Sequence, residues 1–538
     1  MDTKALRQKI LDLAVRGKLV PQDPNDEPAS VLLERIRAQK QQMVREGKLK
    51  SKDIKDDTVI FVGEDNLHYE KFADGSVKCI EDKIPFNLPE NWAWVRLQSF
   101  CTMSNGTAKR NGADGTHTTV LRLADLGEDD IFYSGTRSVI LTDEEIAKYS
   151  LSDGDILFIR VNGSKENVGK SYFFEGQPFP VAYCDHLIRC TPSTVLRGKL
   201  LSMFMRCGYV RQLIGERMVS AAGQNTISQP SLGTILLPIP PHHEQDRILQ
   251  KLTLAEGFIE QLCEAKHELV KITERAKAKI LDLAIHGQLV PQDPADEPAS
   301  VLLDRIRKEK ENLIKQGKIK RDKKETIIFR GDDNSYYEKV GDQRVCIDDD
   351  LPYSLPEGWV WCALQDCCIK EIKRGRSPKY ADNGHVLSFA QKCNQKTGGI
   401  NMGLALLIDD STACRYEDDE YLQDGDIVIN STGTGTLGRV GIYRATDNLA
   451  GTPVVPDSHV TVVRVSSLLD PLYFFYCLKS MQSRLETLGE GSTNQKELKP
   501  LTVQQLRIPI PPIAEQNEIV KQIVALFGHL DAIATDLT

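Results

Sequence analysis

Residues 238–291 read PIPPHHEQDRILQKLTLAEGFIEQLCEAKHELVKITERAKAKILDLAIHGQLVP and contain the longest helical pattern of the chain. Alternate steps of three and four residues meet polar side chains only at Lys266 and Thr273, which is typical of a coiled-coil seam. Prolines at the start and Gly287 at the end indicate the limits of one long helix. A partner must cover the seam positions Ile248, Leu252, Ala255, Ile259, Leu262, Lys266, Leu269, Thr273, Ala276, Ile280 and Leu283.

The two ends of the same chain supply that partner. Residues 9–37 recur at 279–307 with five changes, and the helix start PIPPHHEQDRIL at 238–249 returns as PIPPIAEQNEIV at 509–520. We therefore predict that the terminal segments pair antiparallel with the central helix in an almost closed, pseudo-two-fold monomer. Two independent tandem domains are the alternative. The terminal seam positions are Thr3, Leu6, Ile10, Leu13, Ile519, Ile523, Leu526, Leu530, Ile533 and Leu537.

The composition is that of an ordinary globular protein. The chain has 538 residues, a net charge of -8 and 13 cysteines without a CxxC pair, and no apolar run approaches the roughly 20 residues that span a bilayer. We expect a cytoplasmic protein with reduced thiols and no metal site. Because the net charge is acidic, contact with DNA must come from local basic surface or from a partner.

Two stretches of short alternating strands lie between the helical segments. PFNLPENWAWVRL at 85–97 recurs as PYSLPEGWVWCAL at 352–364, whereas most of the sequence that follows differs. We predict an α+β fold in which two globular domains share a framework and face different ligands. The predicted segments are 1–57 (half-helix and basic arm), 58–237 (first globular domain), 238–291 (central spacer helix), 292–325 (basic arm), 326–508 (second globular domain) and 509–538 (half-helix).

The two basic arms begin as helices. Between Arg35 and Lys55 there are eight basic and two acidic residues, and between Arg305 and Lys324 there are ten basic and three acidic residues. Such a segment lies either close to nucleic-acid phosphates or on a solvated helix face, and the sequence leaves both interpretations open.

Two glycine-rich stretches resemble nucleotide-binding loops without meeting their requirements. The GxGxxG pattern at 433–438 precedes RVGIYRA, which is typical of a strand rather than a helix. GSKENVGKS at 163–171 has one residue too many for a phosphate-binding loop. Because both stretches follow a DGDI sequence, we predict two flexible hairpin loops. The sequence contains no HExxH, GxSxG or Cys/His metal spacing, which favours a binding protein over an enzyme.

The repeated PxPPxxEQ helix starts, the GKLVPQDPNDEPAS run and the two divergent domains resemble the specificity subunit of a type I restriction-modification enzyme. This resemblance implies two target-recognition domains that each read one half of a split double-stranded DNA sequence. It also implies that the helices act as a spacer and dock two methyltransferase subunits. S-adenosylmethionine, ATP and Mg²⁺ would then belong to methyltransferase and restriction subunits, and this chain would hold no cofactor.

The candidate DNA-binding residues are Arg, Lys, Asn, Gln and hydroxyl side chains in loops that can enter a groove. In the first domain they are Asn105, Lys109, Arg110, Asn111, Arg160, Asn162, Ser164, Lys165, Lys170, Gln224, Asn225 and Thr226. In the second domain they are Lys373, Arg374, Arg376, Lys379, Asn430, Ser431, Thr432, Thr434, Arg439, Ser492, Thr493, Asn494, Gln495 and Lys496. A solvated loop or a phosphate contact without base reading is the alternative for each residue.

Two other functions compete with sequence-specific DNA recognition. A coiled-coil scaffold or adaptor protein would have the same helices but no base-specific loops. A self-contained methyltransferase or nuclease would need catalytic motifs that this sequence lacks.

Overall fold

The computed structural model describes residues 2–319, 326–340, 343–396, 399–433, 435–491 and 496–537. Helices and short strands alternate along the chain, which confirms the mixed fold class. The chain divides into an N-terminal unit, Met1–Lys266, and a C-terminal unit, His267–Thr538. Among the described residues, no helix combines the length and the apolar character that a membrane span requires.

The N-terminal unit begins with two helices and continues with short strands that are followed by the start of a long helix. The helices are α1 (Thr3–Val15), α2 (Ala29–Arg45), α3 (Leu97–Phe100), α4 (Asp143–Tyr149), α5 (Gly198–Phe204), α6 (Gly208–Arg217), α7 (Gln229–Gly233) and α8 (His242–Ile285), which ends in the C-terminal unit. The strands are β1 (Val59–Val62), β2 (His68–Lys71), β3 (Val77–Cys79), β4 (Ala93–Arg96), β5 (Cys101–Asn105), β6 (Thr116–Leu121), β7 (Arg137–Leu141), β8 (Ile156–Ile159), β9 (Val161–Asn162), β10 (Ser171–Phe173), β11 (Val181–Tyr183), β12 (Leu187–Pro192), β13 (Val219–Ala221), β14 (Gln224–Thr226) and β15 (Leu236–Ile239).

Five small sheets organise the N-terminal unit. The β1-β2-β3 meander is antiparallel, and β4 pairs with β15 immediately before α8. The part of this unit between β4 and β15 contains a four-stranded sheet of order β10-β8-β12-β5 and a three-stranded sheet of order β11-β6-β7. A third sheet, β13-β14-β9, continues from the end of the four-stranded sheet, because β9 follows β8 after one residue.

The C-terminal unit has its own set of helices and strands. After α8, its helices are α9 (Ala299–Lys315), α10 (Asp410–Ala413), α11 (Pro471–Ser480), α12 (Gln482–Thr487), α13 (Pro500–Gln504) and α14 (Ile513–Leu537). Its strands are β16 (Thr326–Arg330), β17 (Tyr336–Val340), β18 (Gln343–Cys346), β19 (Val360–Ala363), β20 (Lys373–Arg374), β21 (Val386–Phe389), β22 (Leu406–Ile408), β23 (Ile427–Asn430), β24 (Val440–Ile442), β25 (Val454–Pro456), β26 (Val460–Val463) and β27 (Arg507–Ile510).

The sheets of the C-terminal unit repeat the strand order of the N-terminal unit. The order β24-β23-β26-β20 corresponds to β10-β8-β12-β5, and β22-β21-β25 corresponds to β7-β6-β11, including the one parallel pair. The pair β19-β27 corresponds to β4-β15. A shared framework therefore underlies two domains whose intervening sequences differ, as the sequence predicts.

Helix α8 confirms the predicted limits of the central helix. It runs unbroken for 44 residues, also through Gly257. The seam positions Ile248, Leu252, Ile259 and Thr273 are buried. Leu262 is exposed, at 36%, and Thr3, the first residue of α1, lies 3.5 Å from the thiol of its neighbour Cys263. The other seam positions are half-buried: Ala255, Lys266, Leu269, Ala276, Ile280 and Leu283.

The terminal helices contact α8 within their own units. Leu11, Ala14 and Val15 of α1 share one buried apolar core with Ile248 and Leu252. In the C-terminal unit, Leu281 and Ile285 share a core with Ile519 and Ile523 of α14. Farther along α14, Asp531 accepts a hydrogen bond from Lys277 at 2.5 Å. The side chain of Leu537, the last predicted seam position, lies outside the described side chains.

The repeated EQ dipeptide explains how each long helix begins. Glu244 accepts hydrogen bonds from the Trp92 indole at 3.0 Å and from Gln22 at 2.7 Å. In the C-terminal unit, Glu515 accepts the same bonds from Trp359 at 2.8 Å and from Gln292 at 3.0 Å. Each buried carboxylate therefore joins the helix start to a PQDP turn and to the strand pair.

Helices α1 and α8 are each followed by a glycine and then by a PQDP turn. A close contact with a proline explains why this residue is glycine in both places. Gly17 and Gly287 adopt positive φ values of 67° and 65°, and a Cβ on either would lie 2.4 Å from Pro89 or Pro356. Only glycine satisfies both conditions without strain. The basic helix α2 ends at Arg45 and does not continue through the whole basic arm, because Gly47 leaves the helical conformation at φ 73°.

The meander belongs to the repeated framework rather than to the divergent domains. Its sequence TVIFVGEDNLHYEK at 58–71 returns as TIIFRGDDNSYYEK at 326–339. Phe61 and Tyr69 lie 5.9 Å apart between ring centroids, and Phe329 and Tyr337 show the same distance. The repeat in segments 58–237 and 326–508 therefore includes the meander as well as the shared sequences at 85–97 and 352–364.

Candidate nucleic-acid interface

In the N-terminal unit, two of the predicted loop segments, 105–111 and 160–170, meet at the turn at residues 184–186, and the third, 224–226, pairs with residues 161–162. Thr107 donates its backbone N–H to the Tyr183 carbonyl at 2.9 Å, and Arg110 lies 3.2 Å from the Asp185 carboxylate. Arg160 donates to the Asp185 carbonyl at 3.1 Å. We call residues 105–111, 160–170 and 224–226 with this turn the N-terminal polar edge.

The basic residues of the N-terminal polar edge have acidic neighbours. Lys109 forms an ion pair of 2.6 Å with Glu145 at the start of α4. Burial raises the pKa of Asp185, but the hydrogen bond from Arg110 outweighs it, and the pKa of Asp185 is lowered overall. Asp185 is therefore ionised at neutral pH and keeps Arg110 beside the turn.

Asparagine side chains order the second part of this edge. Asn162 and Asn225 face each other across β9 and β14. The Asn225 amide is buried and donates to the Gly163 carbonyl at 2.9 Å, while its oxygen accepts from Ser220 at 2.6 Å. Asn225 therefore positions the hairpin loop and exposes almost no surface to a ligand.

The other predicted residues of this edge differ in exposure. The side chains of Asn105 and Gln229 are hydrogen-bonded at 2.7 Å. Arg160, Asn162, Lys170 and Thr226 are half-buried. The exposed candidates are Asn105, Arg110, Asn111, Ser164, Lys165 and Gln224.

In the C-terminal unit, the basic sequence KRGRSPK surrounds one carboxylate. Glu420 lies 2.6 Å from Lys373 and 2.8 Å from Arg376. Burial acts to raise the pKa of Glu420, but these hydrogen bonds outweigh it and lower the pKa to about 2. Lys373 and Glu420 also line a small solvent-open pocket together with Lys370 and Arg464.

The remaining residues of KRGRSPK differ in how tightly they are held. Arg374 pairs with Glu497 and donates to the Leu498 carbonyl at 2.9 Å. Lys379 extends into solvent, 3.6 Å from Asp409, with 74% of its side chain exposed. We call residues 373–379, 430–439 and Lys496 the C-terminal polar edge.

The prediction that Asn430 and Ser431 face a ligand disagrees with their burial, since both are fully enclosed. Asn430 donates to the Gln391 carbonyl at 3.1 Å, and Ser431 contacts the Thr461 hydroxyl at 2.6 Å. Both side chains end a strand inside the sheet, so that they order the loop rather than reach a base.

Other predicted residues stay nearer the surface of this edge. Thr432 lies 2.7 Å from His459, and Arg439 donates to the Asn394 carbonyl at 2.7 Å. Lys496 is exposed. Thr434, Ser492, Thr493, Asn494 and Gln495 lie outside the described residues.

The turn before β12 and β26 is a part of both edges that the sequence analysis missed. Arg160 donates its backbone N–H to the His186 carbonyl at 2.8 Å, and Ser431 donates in the same way to the His459 carbonyl at 2.8 Å. The signal was present as CDH at 184–186 and PDSH at 456–459. Cys184, Asp185 and His186 each have one atom that could bind a metal ion, and these atoms lie within 4.8 Å of one another. Burial raises the pKa of the Cys184 thiol, which disfavours the thiolate form that binds metals.

The sequence of this chain is similar to those of known proteins. The family profile described as "Type I restriction modification DNA specificity domain" matches residues 356–537. The EcoEI type I specificity subunit of Escherichia coli is 28% identical over 99% of this chain and 90% of its own length. The EcoAI specificity subunit of Escherichia coli is 30% identical over 67% of this chain and 62% of its own length.

The fold has a counterpart among solved structures. A chain from a structure titled "Structural basis underlying complex assembly and conformational transition of the type I R-M system" shares 15% sequence identity. It aligns with a TM-score of 0.50 over 84% of this chain and 96% of that chain. Residues 356–537 therefore match the type I restriction modification DNA specificity domain, and over its whole length this chain is similar to type I restriction enzyme specificity subunits.

Proposed function

We propose that this chain is the DNA sequence-specificity subunit of a type I restriction-modification complex and reads a bipartite double-stranded target. The observation that carries this proposal is one strand order in two units whose polar edges differ. Equal frameworks place two loops in equivalent positions, whereas different side chains at those positions suit two different half-sites.

Each polar edge supplies the groups that base reading requires. Exposed Asn, Gln, Ser and Lys side chains such as Ser164, Lys165 and Gln224 can reach a groove, while buried neighbours such as Asn225 and Asn430 fix the loops. Preorganised loops lose little entropy on binding, which favours specific over non-specific complexes.

The helices serve as the spacer in this proposal. Two half-sites read from one face of a duplex lie about one helical turn, roughly 34 Å, apart. At 1.5 Å per residue, the 44 residues of α8 extend about 66 Å, which is long enough to set that separation. The antiparallel pairing of α1 and α14 with α8, in a pseudo-two-fold monomer, belongs to the same proposal, as do the limits of the recognition domains at 58–237 and 326–508.

Catalysis belongs to other subunits in this proposal. Two methyltransferase subunits dock on the helices and bind S-adenosylmethionine, and restriction subunits use ATP and Mg²⁺. This chain then works in the cytoplasm as a non-catalytic subunit. A coiled-coil scaffold without base recognition is the second candidate, since the same helices would suit it.

Methylation mapping tests the proposal. DNA from a host that expresses this chain with its methyltransferase should carry a split methylated motif that is lost when only this chain is removed. The variant Ser164→Ala/Lys165→Ala/Gln224→Ala should change one half of the motif and preserve the other half. Lys199→Ala, at a lysine of α5 whose side chain is 45% exposed, is the control and should leave the motif unchanged. A methylation pattern that is independent of this chain would instead support the scaffold.

A further inference from the structure

The end of α2 and the first part of the loop before the meander are rich in basic side chains, and Asp56 and Asp57 follow them. Residues 45–55, which we call the basic loop, contain five basic and two acidic side chains, for a net charge of +3 in a chain of net charge -8. All five basic side chains are exposed: Arg45, Lys48, Lys50, Lys52 and Lys55.

The charges of the basic loop are only partly neutralised. Lys48 pairs with Glu46 at 2.8 Å, and Lys55 lies 4.0 Å from Asp56. Arg45, Lys50 and Lys52 form no ion pair with the part of the chain that the structure describes. Three neighbouring cations without acidic partners therefore face solvent.

Both ends of the basic loop are attached to the recognition domain. Before the loop, the buried Lys40 donates to the Gln98 carbonyl at 2.9 Å and pairs with Asp57 at 2.6 Å. After the loop, the backbone N–H of Thr58 donates to the Ser99 hydroxyl at 3.1 Å. Gln98 and Ser99 lie in α3, which leads directly into β5 and the N-terminal polar edge.

The C-terminal unit contains the same attachment. Lys310 of α9 donates to the Gln365 carbonyl at 3.0 Å, and Gly317 takes a positive φ of 70°, as Gly47 does with 73°. Lys315 ends the same helix and Lys318 follows it, and both are exposed. Residues 320–325, which include the other predicted cations of this arm, lie outside the described residues.

We propose that the basic loop binds the phosphate backbone of the duplex beside the half-site, and that it adds affinity without sequence preference. The inference rests on the proposed function. The occupant follows from charge complementarity, because ammonium and guanidinium groups match phosphates, and because the loop continues into the domain that carries the polar edge. The loop contains no asparagine, glutamine or aromatic side chain, so that it has no group suited to reading adenine or to stacking on a base.

The salt dependence of DNA binding tests this proposal. The complex of this chain with methyltransferase subunits would be titrated with a cognate duplex and with a non-cognate duplex at several salt concentrations. Each lost phosphate contact should make the slope of log K against log[salt] less steep by about 0.9. For Arg45→Gln/Lys50→Gln/Lys52→Gln, we expect a slope reduced by about two to three on both duplexes, with the methylated motif unchanged.

Two controls separate phosphate contact from other effects. Lys71→Gln/Lys78→Gln/Arg137→Gln removes the same charge from exposed positions of the same unit and should leave the slope close to that of the wild type. Lys50→Arg/Lys52→Arg keeps the charge and should behave as the wild type. Equal thermal unfolding of all variants would show that the fold is intact.

A wild-type slope in the triple variant would overturn the proposal, and so would an equal reduction in the charge-matched control. An altered methylated motif would overturn it as well, because the loop would then read sequence. If the wild-type complex showed no preference for the cognate duplex, the proposed function would fail, while the slope on either duplex would still decide the role of the basic loop.

Discussion

The two units keep the same ionic contact but build it from opposite strands. In the N-terminal unit, Arg96 on β4 donates to Glu70 of the meander at 3.0 and 2.9 Å. In the C-terminal unit, the equivalent strand carries Ala363, and Arg507 on the paired strand β27 lies 3.3 Å from Glu338. The repeat therefore preserves a guanidinium-carboxylate contact between meander and strand pair, although the arginine has changed its place in the sequence.

The exchange also changes how deeply the contact is buried. The side chains of Arg96 and Glu70 are 9% and 5% exposed, whereas about a quarter of Arg507 and of Glu338 is exposed. The Glu70 carboxylate also accepts a hydrogen bond from Thr58 at 2.7 Å. Similar chemistry at equivalent places should therefore contribute unequally to stability.

The largest difference should follow from removing the two glutamates one at a time. We expect Glu70→Ala to destabilise the N-terminal unit by about 3–5 kcal/mol, because it leaves the buried Arg96 guanidinium with the Thr234 carbonyl but without a carboxylate to balance its charge. Glu338→Ala should cost about 0–1 kcal/mol, because water can solvate Arg507. Hydrogen exchange of peptides from each unit, measured at increasing urea concentration, reports the two effects separately.

The double variant Glu70→Ala/Arg96→Leu is the control for this comparison. It removes both charges and should recover most of the stability that Glu70→Ala loses. Equal losses for Glu70→Ala and Glu338→Ala would show that burial does not distinguish the two contacts.

The start of the long helices should respond in the same way in both units. Glu244→Ala and Glu515→Ala each leave a buried indole N–H without an acceptor, which should cost about 1–3 kcal/mol, whereas Gln22 and Gln292 keep backbone carbonyls as acceptors. Glu→Gln at either position keeps an acceptor for the tryptophan and should lose less. Urea unfolding monitored by tryptophan fluorescence measures both pairs, and a loss in only one unit would contradict the common role of the EQ dipeptide.

The sequence predicts the framework well because its signals are local. Prolines and a glycine mark the ends of α8, and the start at His242 and the end at Ile285 confirm them. The same kind of signal, Gly47, also ends α2, although the basic composition alone would continue that helix. Local periodicity also predicts the seam, except at Leu262, which is exposed.

The polar edges were less predictable because their contacts are distant in sequence. The pairs Lys373 with Glu420 and Asn225 with Gly163 join residues that no local pattern connects. Loop composition identified the segments, but burial decided the role of Asn430 within them. A polar residue at the end of a strand can face a ligand or close the sheet, and only the tertiary fold distinguishes these positions.

Acid should weaken the C-terminal unit through Glu420. When the two DGDI sequences are aligned, the equivalent residue of the N-terminal unit is Tyr149, which is not a carboxylate. A pKa lowered from 4.5 to about 2 stabilises the fold above pH 4.5 and ceases to do so as the pH falls toward 2. We expect a loss of about 1–2 kcal/mol after allowance for solvent screening. Glu420→Gln should remove this pH dependence, as measured by urea unfolding between pH 2 and 6, and an unchanged dependence would show that other carboxylates cause it.

The smallest effect on stability should come from substitution of Lys379 in the C-terminal polar edge. At this position, an effect on DNA recognition can be measured without an effect on stability. Its side chain is 74% exposed and 3.6 Å from Asp409, so that Lys379→Gln should change the free energy of unfolding by less than about 0.5 kcal/mol. Lys373→Gln should cost more, because it removes a 2.6 Å contact from the buried Glu420. Thermal unfolding measures this difference, and methylation mapping of the same variants measures recognition.

If Lys379 contacts DNA, Lys379→Gln should weaken or change one half of the methylated motif in a protein of wild-type stability. A wild-type motif in that variant would remove Lys379 from the DNA-binding residues and restrict the C-terminal edge to side chains that the fold already holds.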